Sequence, residues 1–398
     1  MVKSVSILLG SGFSHSANIP LVNEINDKLT SITQKDICWG MNRHVFLLGD
    51  QKDLNYYLTI NEKNFFVEFV QHYCSIIGGK ANFNYEVFYD FYYSMYRDIQ
   101  FDKIEDFCEG FRKRYQLDDS IHDNVNLILT FNNGFNQILK SILENVKFYE
   151  NNVHDSNYTS YEEFVKYIGD LSKSGFTIHV HTLNHDLLFD HIGKVSDIQS
   201  FFCDGYSELG SSYFGKLRLN NPINVKYKIR LKRFQNTFNK SIRFYKLHGS
   251  IDTYLFNLTS PYVDKTRIKT EYLIEDFYKE VYDEKLRQYK YIRGISNVYP
   301  DFLSGPTEKL RNYSDEYYDI LFNHFKENLK NSDKLIIIGY GFKDSGINEL
   351  LKIYLDKNIN PAIVIDPNIP NNSFYKNYKF NHIQKSITSL NCSEWLSL

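Results

Sequence analysis

The run from Val5 to Leu9 constrains the fold more than any other part of the sequence. It is a short apolar segment followed at once by Gly10-Ser11-Gly12, which is typical of an interior parallel strand that ends in a tight turn. Glycines at such a turn let the backbone bend sharply and approach a ligand, and a helix that follows directs its first amide groups toward an anion. The segment therefore predicts a buried strand whose turn suits a pyrophosphate.

Three further apolar segments predict strands of the same kind. They are Phe176 to Thr182, Leu335 to Ile338 and Ala362 to Ile365, and each ends in residues that favour turns. Because such strands occur near both ends of the chain, we predict one sheet domain that is split in sequence. It comprises residues 1–20 and 172–398.

The stretch from about Leu21 to Leu171 has a different character. Apolar residues recur there at helical spacing, as in Asn64 to Ile77 and Tyr85 to Tyr96, between polar, Asn-rich connections. We therefore predict an α/β fold with a Rossmann-like, mostly parallel sheet flanked by helices, and a large, mainly helical insertion over residues 21–171. The polar segment from about Ser260 to Asp333 is also expected to be helical.

Composition excludes several classes of protein. Hydrophobic residues make up 42% of the 398 residues and charged residues 24%, which is ordinary for a globular protein with a sizeable core. The net charge of −2 argues against a protein whose whole surface binds nucleic acid. The 5 cysteines form no CxxC pair, so we expect neither a structural zinc site nor a disulfide framework, and a reducing cytoplasm fits best. No apolar stretch approaches the roughly 20 residues of a membrane helix.

One segment is strongly basic despite this overall balance. From Lys216 to Lys246 the sequence has ten basic residues and no acidic one, with strand-like alternation from Val225 to Lys232. Such a segment can bind phosphates or nucleic acid. It can also be a solvated strand whose lysines discourage pairing at a sheet edge, and we favour that interpretation.

The first candidate for a functional segment is Thr182-Leu183-Asn184-His185-Asp186. It follows a predicted strand, so it lies at the carboxyl edge of the sheet, where open α/β sheets bind ligands. Asn184 there can hold a ribose hydroxyl or a water molecule. Alternatively, Asn184 or Asp186 caps a helix that begins near Leu187. His179 and His181 would face the same side of the strand, but no HExxH or comparable spacing supports a metal site, so no metal is expected.

Three more candidates follow predicted strands. His248 precedes Gly249-Ser250 and can take a proton near neutral pH, although an isolated histidine is more often structural. Gly339-Tyr340-Gly341 ends a buried strand and predicts another loop that approaches a ligand closely. Asp366 either accepts hydrogen bonds from an adenosine ribose or starts a turn before Pro367.

Taken in chain order, these motifs resemble the sirtuin-like NAD-consuming domains, a family that includes many prokaryotic antiviral defence proteins. Gly10-Ser11-Gly12, Ser14 and Asn18-Ile19-Pro20 are similar to the family's Gly-Ala-Gly, Ser and Gly-Ile-Pro. Thr182 to Asp186 is similar to its Thr-Gln-Asn-Ile-Asp at the Thr, Asn and Asp. Its catalytic His-Gly resembles His248-Gly249, and its glycine-ended strand resembles the run up to Gly339.

The differences from the family favour one branch of it. Family members that deacetylate proteins carry a zinc module with two CxxC pairs and an Asp-Phe-Arg after the proline, whereas this chain lacks the pairs and has Leu21-Val22 at that place. Members that hydrolyse NAD are more similar, including a form with a Gly-Tyr-x-Phe-x-Asp segment like Gly339 to Asp344.

The resemblance implies an NAD glycohydrolase that cleaves the nicotinamide–ribose bond and releases nicotinamide and ADP-ribose, or a cyclised ADP-ribose if a ribose hydroxyl attacks in place of water. It implies that Asn184 positions the ribose hydroxyls or the attacking water, that Asp186 orients this network, and that His248 is the general base. It also implies contacts to the phosphates and adenosine of NAD from Gly10, Ser11, Gly12, Ser14, Gly339, Tyr340 and Asp366.

The resemblance further implies a gated effector of antiphage defence that depletes cellular NAD. We expect a homo-oligomer that is activated by a phage-derived trigger or by a partner. A hexameric translocase-type ATPase is one such partner, because the sequence contains no ATPase loop of its own. Two alternatives stay open. One is a nucleic-acid-binding or nuclease subunit of a defence complex that uses Lys216 to Lys246, and the other is an inactive sensor of NAD or ADP-ribose.

Overall fold

The computed structural model describes residues 3–39, 46–48, 60–98, 100–118, 122–144, 159–195, 197–218, 226–258, 263–270, 274–296, 300–302 and 315–397. The predictions for residues 40–45, 49–59, 145–158, 219–225 and 303–314 lie outside this part of the chain.

Helices and strands alternate irregularly along the chain. The helices are α1 (Ser11–His15), α2 (Val22–Ser31), α3 (Ile60–Ile76), α4 (Tyr85–Asp98), α5 (Glu105–Tyr115), α6 (Asn124–Glu144), α7 (Glu162–Lys173), α8 (Leu188–Val195), α9 (Glu316–Asn331), α10 (Ser345–Leu355), α11 (Ser373–Asn377) and α12 (Cys392–Leu396). The strands are β1 (Ser4–Leu9), β2 (Ile37–Trp39), β3 (Phe46–Leu48), β4 (Thr177–Thr182), β5 (Phe202–Cys203), β6 (Gly205–Ser207), β7 (Tyr213–Arg218), β8 (Lys226–Arg230), β9 (Lys232–Thr237), β10 (Ile242–Lys246), β11 (Thr253–Leu258), β12 (Asp264–Lys269), β13 (Ile274–Asp283), β14 (Gln288–Arg293), β15 (Ile295–Ser296), β16 (Lys334–Ile338), β17 (Ala362–Ile365) and β18 (Phe380–Ile383).

Seven strands form the central sheet, in the order β18-β17-β16-β1-β4-β10-β5. Every pairing between neighbours in this sheet is parallel, so all seven strands end at one carboxyl edge. The four strands predicted from apolar runs are β1, β4, β16 and β17, and all four lie in this sheet. The predicted α/β class and mostly parallel sheet are therefore confirmed.

Both faces of the central sheet are covered by helices. Along β1, Ile7 and Leu9 pack on one face with α7, α8 and α12. Leu8 points to the opposite face and packs with α9 and α10. Because successive side chains of a strand point to opposite faces, a strand covered on both sides has to be apolar at nearly every position.

Helices α2 to α6 pack around a separate core that is rich in phenylalanine and tyrosine. The predicted helices over Asn64 to Ile77 and Tyr85 to Tyr96 are confirmed as α3 and α4. Leu187, Ile251 and Phe302, which follow β4, β10 and β15 in the chain, belong to the same core. These helices therefore adjoin the carboxyl edge of the central sheet. The division of the chain at residues 21 and 171 stays a prediction.

Strands β2 and β3 form a two-stranded antiparallel sheet. Two larger antiparallel sheets have the strand orders β15-β11-β12-β9-β6 and β14-β13-β7-β8. They share a small apolar core that contains Tyr213, Phe256 and Phe277. The helix predicted over about Ser260 to Asp333 is therefore wrong for the described residues 263–270 and 274–296, which form strands, whereas α9 is helical as predicted. Aromatic and β-branched residues along β13 and β14 pair across strands, and that packing outweighs the helical preference of the lysines and glutamates between them.

Two turns contact each other directly at the centre of the parallel sheet. The amide of Gly10 donates to Ile338 O at 2.9 Å, and that of Gly12 donates to Gly339 O at 2.9 Å. A Cβ atom at Gly10 would lie 2.5 Å from Gly339 O. Gly339 has φ +62°, and its own Cβ would lie 2.4 Å from the backbone nitrogen of Phe13. At these glycines the backbones of two turns of the chain therefore approach each other, and their approach to a ligand stays a prediction.

Substitution of Gly339 by alanine tests the importance of this contact. We expect Gly339→Ala to lower the free energy of unfolding by at least about 2 kcal/mol. Alanine there would have to adopt a left-handed backbone conformation, and its Cβ would also clash with the turn after β1. Gly341→Ala is the matched control, since a Cβ there meets no atom within 4 Å. Urea denaturation followed by circular dichroism measures both. Equal unfolding curves for the two variants would show that the contact is not tight.

Among the described residues, no helix combines the length and apolarity needed to cross a bilayer.

Candidate active site

Most of the predicted site residues lie on four loops at the carboxyl edge of the central sheet. The loops follow β16, β1, β4 and β10, which are consecutive neighbours in the sheet. They carry Gly339, Gly10, Asn184 and His248, respectively. Residues that are far apart in sequence are therefore brought side by side because the strands before them are paired in parallel.

Asn184 connects the loop after β4 to the loop after β1. Its side-chain nitrogen donates to Gly10 O at 2.9 Å and to Ser14 Oγ at 3.0 Å, and its backbone amide donates to Thr182 Oγ1 at 3.1 Å. Because both side-chain amide hydrogens have partners within the protein, the side-chain oxygen of Asn184 is the group suited to meet a ligand.

Ser14 extends this network to Asp186. The Ser14 hydroxyl is hydrogen-bonded to the Asp186 carboxylate, which also accepts the backbone amide of Leu188 at 3.0 Å at the start of α8. Burial raises the pKa of Asp186, while the ammonium group of Lys246 and these hydrogen bonds act in the opposite direction. Asp186 therefore has the capping contact considered from the sequence and also belongs to the Asn184 network.

His248 is almost fully buried and lies next to a carboxylate from another loop. Its Nε2 atom is 3.7 Å from Asp344 Oδ2, which is longer than a hydrogen bond, and its ring centroid is 6.3 Å from that of His185. Asp344 is fixed as the N-cap of α10, because its Oδ1 accepts the amide of Ile347 at 3.1 Å. The segment after β16 thus brings an acid to the histidine that follows β10.

Lys246, the last residue of β10, is hydrogen-bonded to the loop after β4. Its ammonium group donates to the backbone oxygen of Asp186, to His185 O at 3.4 Å and to Asp190 Oδ2 at 3.0 Å. Only 7% of Lys246 is exposed. One buried cation therefore ties the loop that carries Asn184 to the strand that leads to His248.

A second buried lysine joins this group from an antiparallel sheet. Lys269 of β12 lies 2.5 Å from Asp190 Oδ1, 2.8 Å from Asp204 Oδ2 and 3.6 Å from Asp252 Oδ2. Burial alone would raise the pKa of Asp190, but the ammonium groups of Lys246 and Lys269 hold that pKa below its usual range. We call these five residues the buried charge cluster. It stabilises the junction between the central sheet and its antiparallel neighbour.

Three predicted site residues remain, Ser11, Tyr340 and Asp366. Ser11 begins α1, which has only five residues and therefore a small helix dipole. The Tyr340 hydroxyl is held by Asn348 Oδ1 at 3.1 Å, in the core. Asp366 follows β17, one strand beyond β16, and accepts the amide of Asn368 at 2.8 Å, which is the turn considered from the sequence.

Sequence reasoning did not assign a role to two residues of this site, Lys246 and Asp344. A lysine at the end of an apolar strand, between Tyr245 and Leu247, is a sign of a buried cation, because charges are rarely buried without a partner. The partners themselves follow only from the fold. The position of Asp344 next to His248 depends on the path of the loop after β16, which no local pattern specifies.

Three of the candidate residues are buried in this structure, whereas Asn184 is half-buried. Exposure is 2% for Ser14, 3% for His248 and 7% for Asp186. Phe302 contributes to the cover, since its ring centroid is 4.9 Å from that of His185 and it forms a β-bridge with Gly249. A cavity of about 140 Å³ lies instead among α3, α5 and α6, lined by Phe65, Phe111 and Phe131 with polar neighbours. A ligand at the carboxyl edge would have to displace part of this cover.

No group of three or more His, Cys, Asp or Glu residues suited to a metal ion occurs within the described segments. His179 and His181 do face the same side of β4, with ring centroids 6.5 Å apart, and both are buried. Burial, together with smaller effects of Arg243 and His324, lowers the pKa of His179 to about 3, and burial also lowers the pKa of His181. Both histidines are therefore neutral at physiological pH.

No protein-family model matches the chain, and no curated protein is significantly similar to it.

The neutral histidines predict that the fold weakens in mild acid. A histidine whose folded pKa lies below its unfolded value of about 6.5 binds a proton only on unfolding, so stability is full above that pH and falls toward the folded pKa. For His179 the window extends from about 6.5 down to about 3, with a slope of about 1.4 kcal/mol per pH unit. We expect His179→Gln to reduce this slope, measured by urea denaturation from pH 7 to pH 4.5.

The control for this experiment is Val180→Ala in the same buried strand. It should lower the free energy of unfolding at every pH and leave the slope unchanged. An unchanged slope in His179→Gln would contradict the prediction.

Proposed function

We propose that this chain hydrolyses NAD at the bond between nicotinamide and ribose and releases nicotinamide and ADP-ribose. The observation that carries the proposal is the meeting of Asn184, Ser14 and Asp186 in one hydrogen-bonded network at the carboxyl edge of a parallel sheet. The ring of His248 lies 6.3 Å from that of His185, which is in the same loop as Asn184. This combination of an amide, a carboxylate and a histidine fits the roles that the resemblance to sirtuin-like domains implies.

The strand order supports a nucleotide site at this edge. Within the central sheet, β4 is the next strand after β1 in the chain and lies on one side of it, whereas β16, β17 and β18 lie on the other side. The order therefore reverses between β1 and β16, and open α/β sheets bind dinucleotides at such a reversal. We accordingly propose that the sheet is Rossmann-like, that Gly10, Gly12 and Gly339 face the phosphates there, and that residues 21–171 are a helical insertion that controls access.

The reaction requires a group that stabilises a positively charged ribose and a group that accepts a proton. When the C1′–N bond breaks, its electron pair goes to the nicotinamide nitrogen, and C1′ becomes similar to an oxocarbenium ion. The side-chain oxygen of Asn184 would hold the attacking water or a ribose hydroxyl. His248 would take the proton that the water loses as it bonds to C1′, and Asp344 would stabilise the resulting imidazolium.

The burial of the reactive groups supports a gated enzyme. Because Ser14, Asp186 and His248 are each less than 10% exposed, NAD can reach them only after the covering residues move. An enzyme that destroys a cofactor needed by its own cell requires such control. We propose that an activating partner or assembly opens the cover, and that the phage-derived trigger and the translocase-type ATPase are candidates for that role.

Removal of either central side chain should abolish NAD hydrolysis. We expect Asn184→Ala and His248→Ala each to lower the rate of NAD consumption at least about 100-fold, because each removes a group that acts on the reacting atoms. Chromatographic separation of NAD, nicotinamide and ADP-ribose measures the rate. His324→Ala, a half-buried histidine outside the site, is the control and should keep normal turnover. Normal turnover in both site variants would refute the assignment.

The charge of Asp344 can be separated from its structural contact. Asn in place of Asp keeps an oxygen that accepts the Ile347 amide, so Asp344→Asn should retain the melting temperature. We expect turnover to fall roughly tenfold, and the acidic limb of the pH–rate profile to move to lower pH, because the imidazolium loses a neighbouring anion.

Asp344→Ala provides the contrast, since it removes both the cap and the charge and should lower the melting temperature as well. If Asp344→Asn leaves the rate and the pH profile unchanged, Asp344 only caps α10.

A further inference from the structure

The outer face of the sheet β14-β13-β7-β8 is not used by the proposed NAD site. Side chains alternate along these strands, and Tyr213, Phe277 and Ile292 point inward to the small apolar core. The register places the other set of residues opposite one another, as in the pairs Tyr278–Phe214 and Tyr282–Tyr289. We call this set the aromatic–basic face; its members are Phe214, Lys216, Lys228, Arg230, Asp276, Tyr278, Glu280, Tyr282, Tyr289, Tyr291 and Arg293.

Three tyrosines of this face are open to solvent. Exposure is 52% for Tyr282, 66% for Tyr289 and 40% for Tyr291. The rings of Tyr282 and Tyr289 are 5.2 Å apart at an angle of 64°. Rings that are this exposed add little to an apolar core, and their solvent-facing surfaces can stack on planar ligands.

Cations lie among these rings. Lys228 Nζ is 3.6 Å from the centroid of the Tyr291 ring, and the Arg230 guanidinium carbon is 4.9 Å from that of Phe214. Phe214 and Tyr291 are themselves in edge contact, with centroids 5.3 Å apart. The face therefore offers positive charge within a few ångströms of aromatic surface.

The acidic residues of the face are largely engaged within it. Asp276 lies 3.6 Å from the Lys216 ammonium group and pairs with the Arg293 guanidinium. Glu280 is hydrogen-bonded to Tyr291 and raises the pKa of that phenol. Four cations thus stand against two acids, and Lys228 and Arg230 are the cations that carry the excess charge.

We propose that the aromatic–basic face binds single-stranded nucleic acid. Unpaired bases would stack on Tyr282, Tyr289 and Tyr291, and the phosphates between them would contact Lys228 and Arg230. A duplex fits less well, because its bases are stacked on each other and cannot reach exposed rings. Protection of the edge strand β8 explains lysines there, but it does not explain tyrosines on β13 and β14.

Fluorescence anisotropy of labelled oligonucleotides about 15 nucleotides long, titrated with the full-length chain, tests this proposal. Oligothymidylate and oligouridylate probes distinguish DNA from RNA, and a duplex of equal length is the comparison. We expect at least one of the single strands to bind roughly tenfold more tightly than the duplex, with affinity falling as salt rises.

Two variants separate stacking from charge. Tyr289→Ala should weaken binding roughly tenfold without changing the salt dependence, because it removes a stacking surface. Lys228→Gln should weaken binding and reduce the slope of log affinity against log salt by about 0.7. Lys326→Gln, an exposed lysine of α9, is the control and should bind like the wild type.

Absence of single-strand binding at low salt would overturn the proposal, as would equal affinity for the duplex. It would also be overturned if both Tyr289→Ala and Lys228→Gln bound as tightly as the control. The melting temperatures of the variants verify that they are folded. Because NAD turnover is measured separately, a failure here leaves the proposed hydrolase activity untouched.

Discussion

The contact between the turn after β1 and the turn after β16 fixes the centre of the parallel sheet and the loops around it. Gly10 and Gly12 approach Gly339 so closely that no side chain fits between the two backbones. This contact joins the strands at the point where the strand order of the central sheet reverses. It also leaves Gly10 O oriented toward the neighbouring loop, where Asn184 donates to it. The position of the central amide of the site thus follows from the packing of two glycine turns.

The buried charge cluster also helps to position Asn184, because it fixes the loop after β4 relative to β10. Taking charges out of water is costly, so Lys246 and Lys269 are stable in the interior only because carboxylates and carbonyl oxygens surround them. Breaking such a group by removing one partner typically costs about 3–5 kcal/mol. The cluster therefore fixes the loop after β4 relative to β10, and motion that opens the site is expected in the cover near Phe302 rather than in the cluster.

Apolar runs predicted four of the seven strands of the central sheet, because a strand such as β16 that is covered on both faces must be apolar along its length. Periodicity failed for β13 and β14, where tyrosines alternate with charged residues and only pairing across strands identifies the sheet. For the site, the sequence pointed to Asn184 and His248, since each follows a strand. It did not reveal the contact of Asp344 with His248 or the ion pairs of Lys246, because those depend on how distant segments pack.

Incubation of the purified chain with NAD in water enriched in oxygen-18 tests whether the chain hydrolyses NAD with water as the attacking group. Mass spectrometry of the products follows both the nicotinamide that is released and the oxygen that enters ADP-ribose. We expect one nicotinamide for each NAD consumed, and one heavy oxygen at the ribose carbon from which the nicotinamide left. Recovery of NAD intact from protein that has bound it to saturation, with or without candidate activators, would refute NAD hydrolysis and identify a sensor instead.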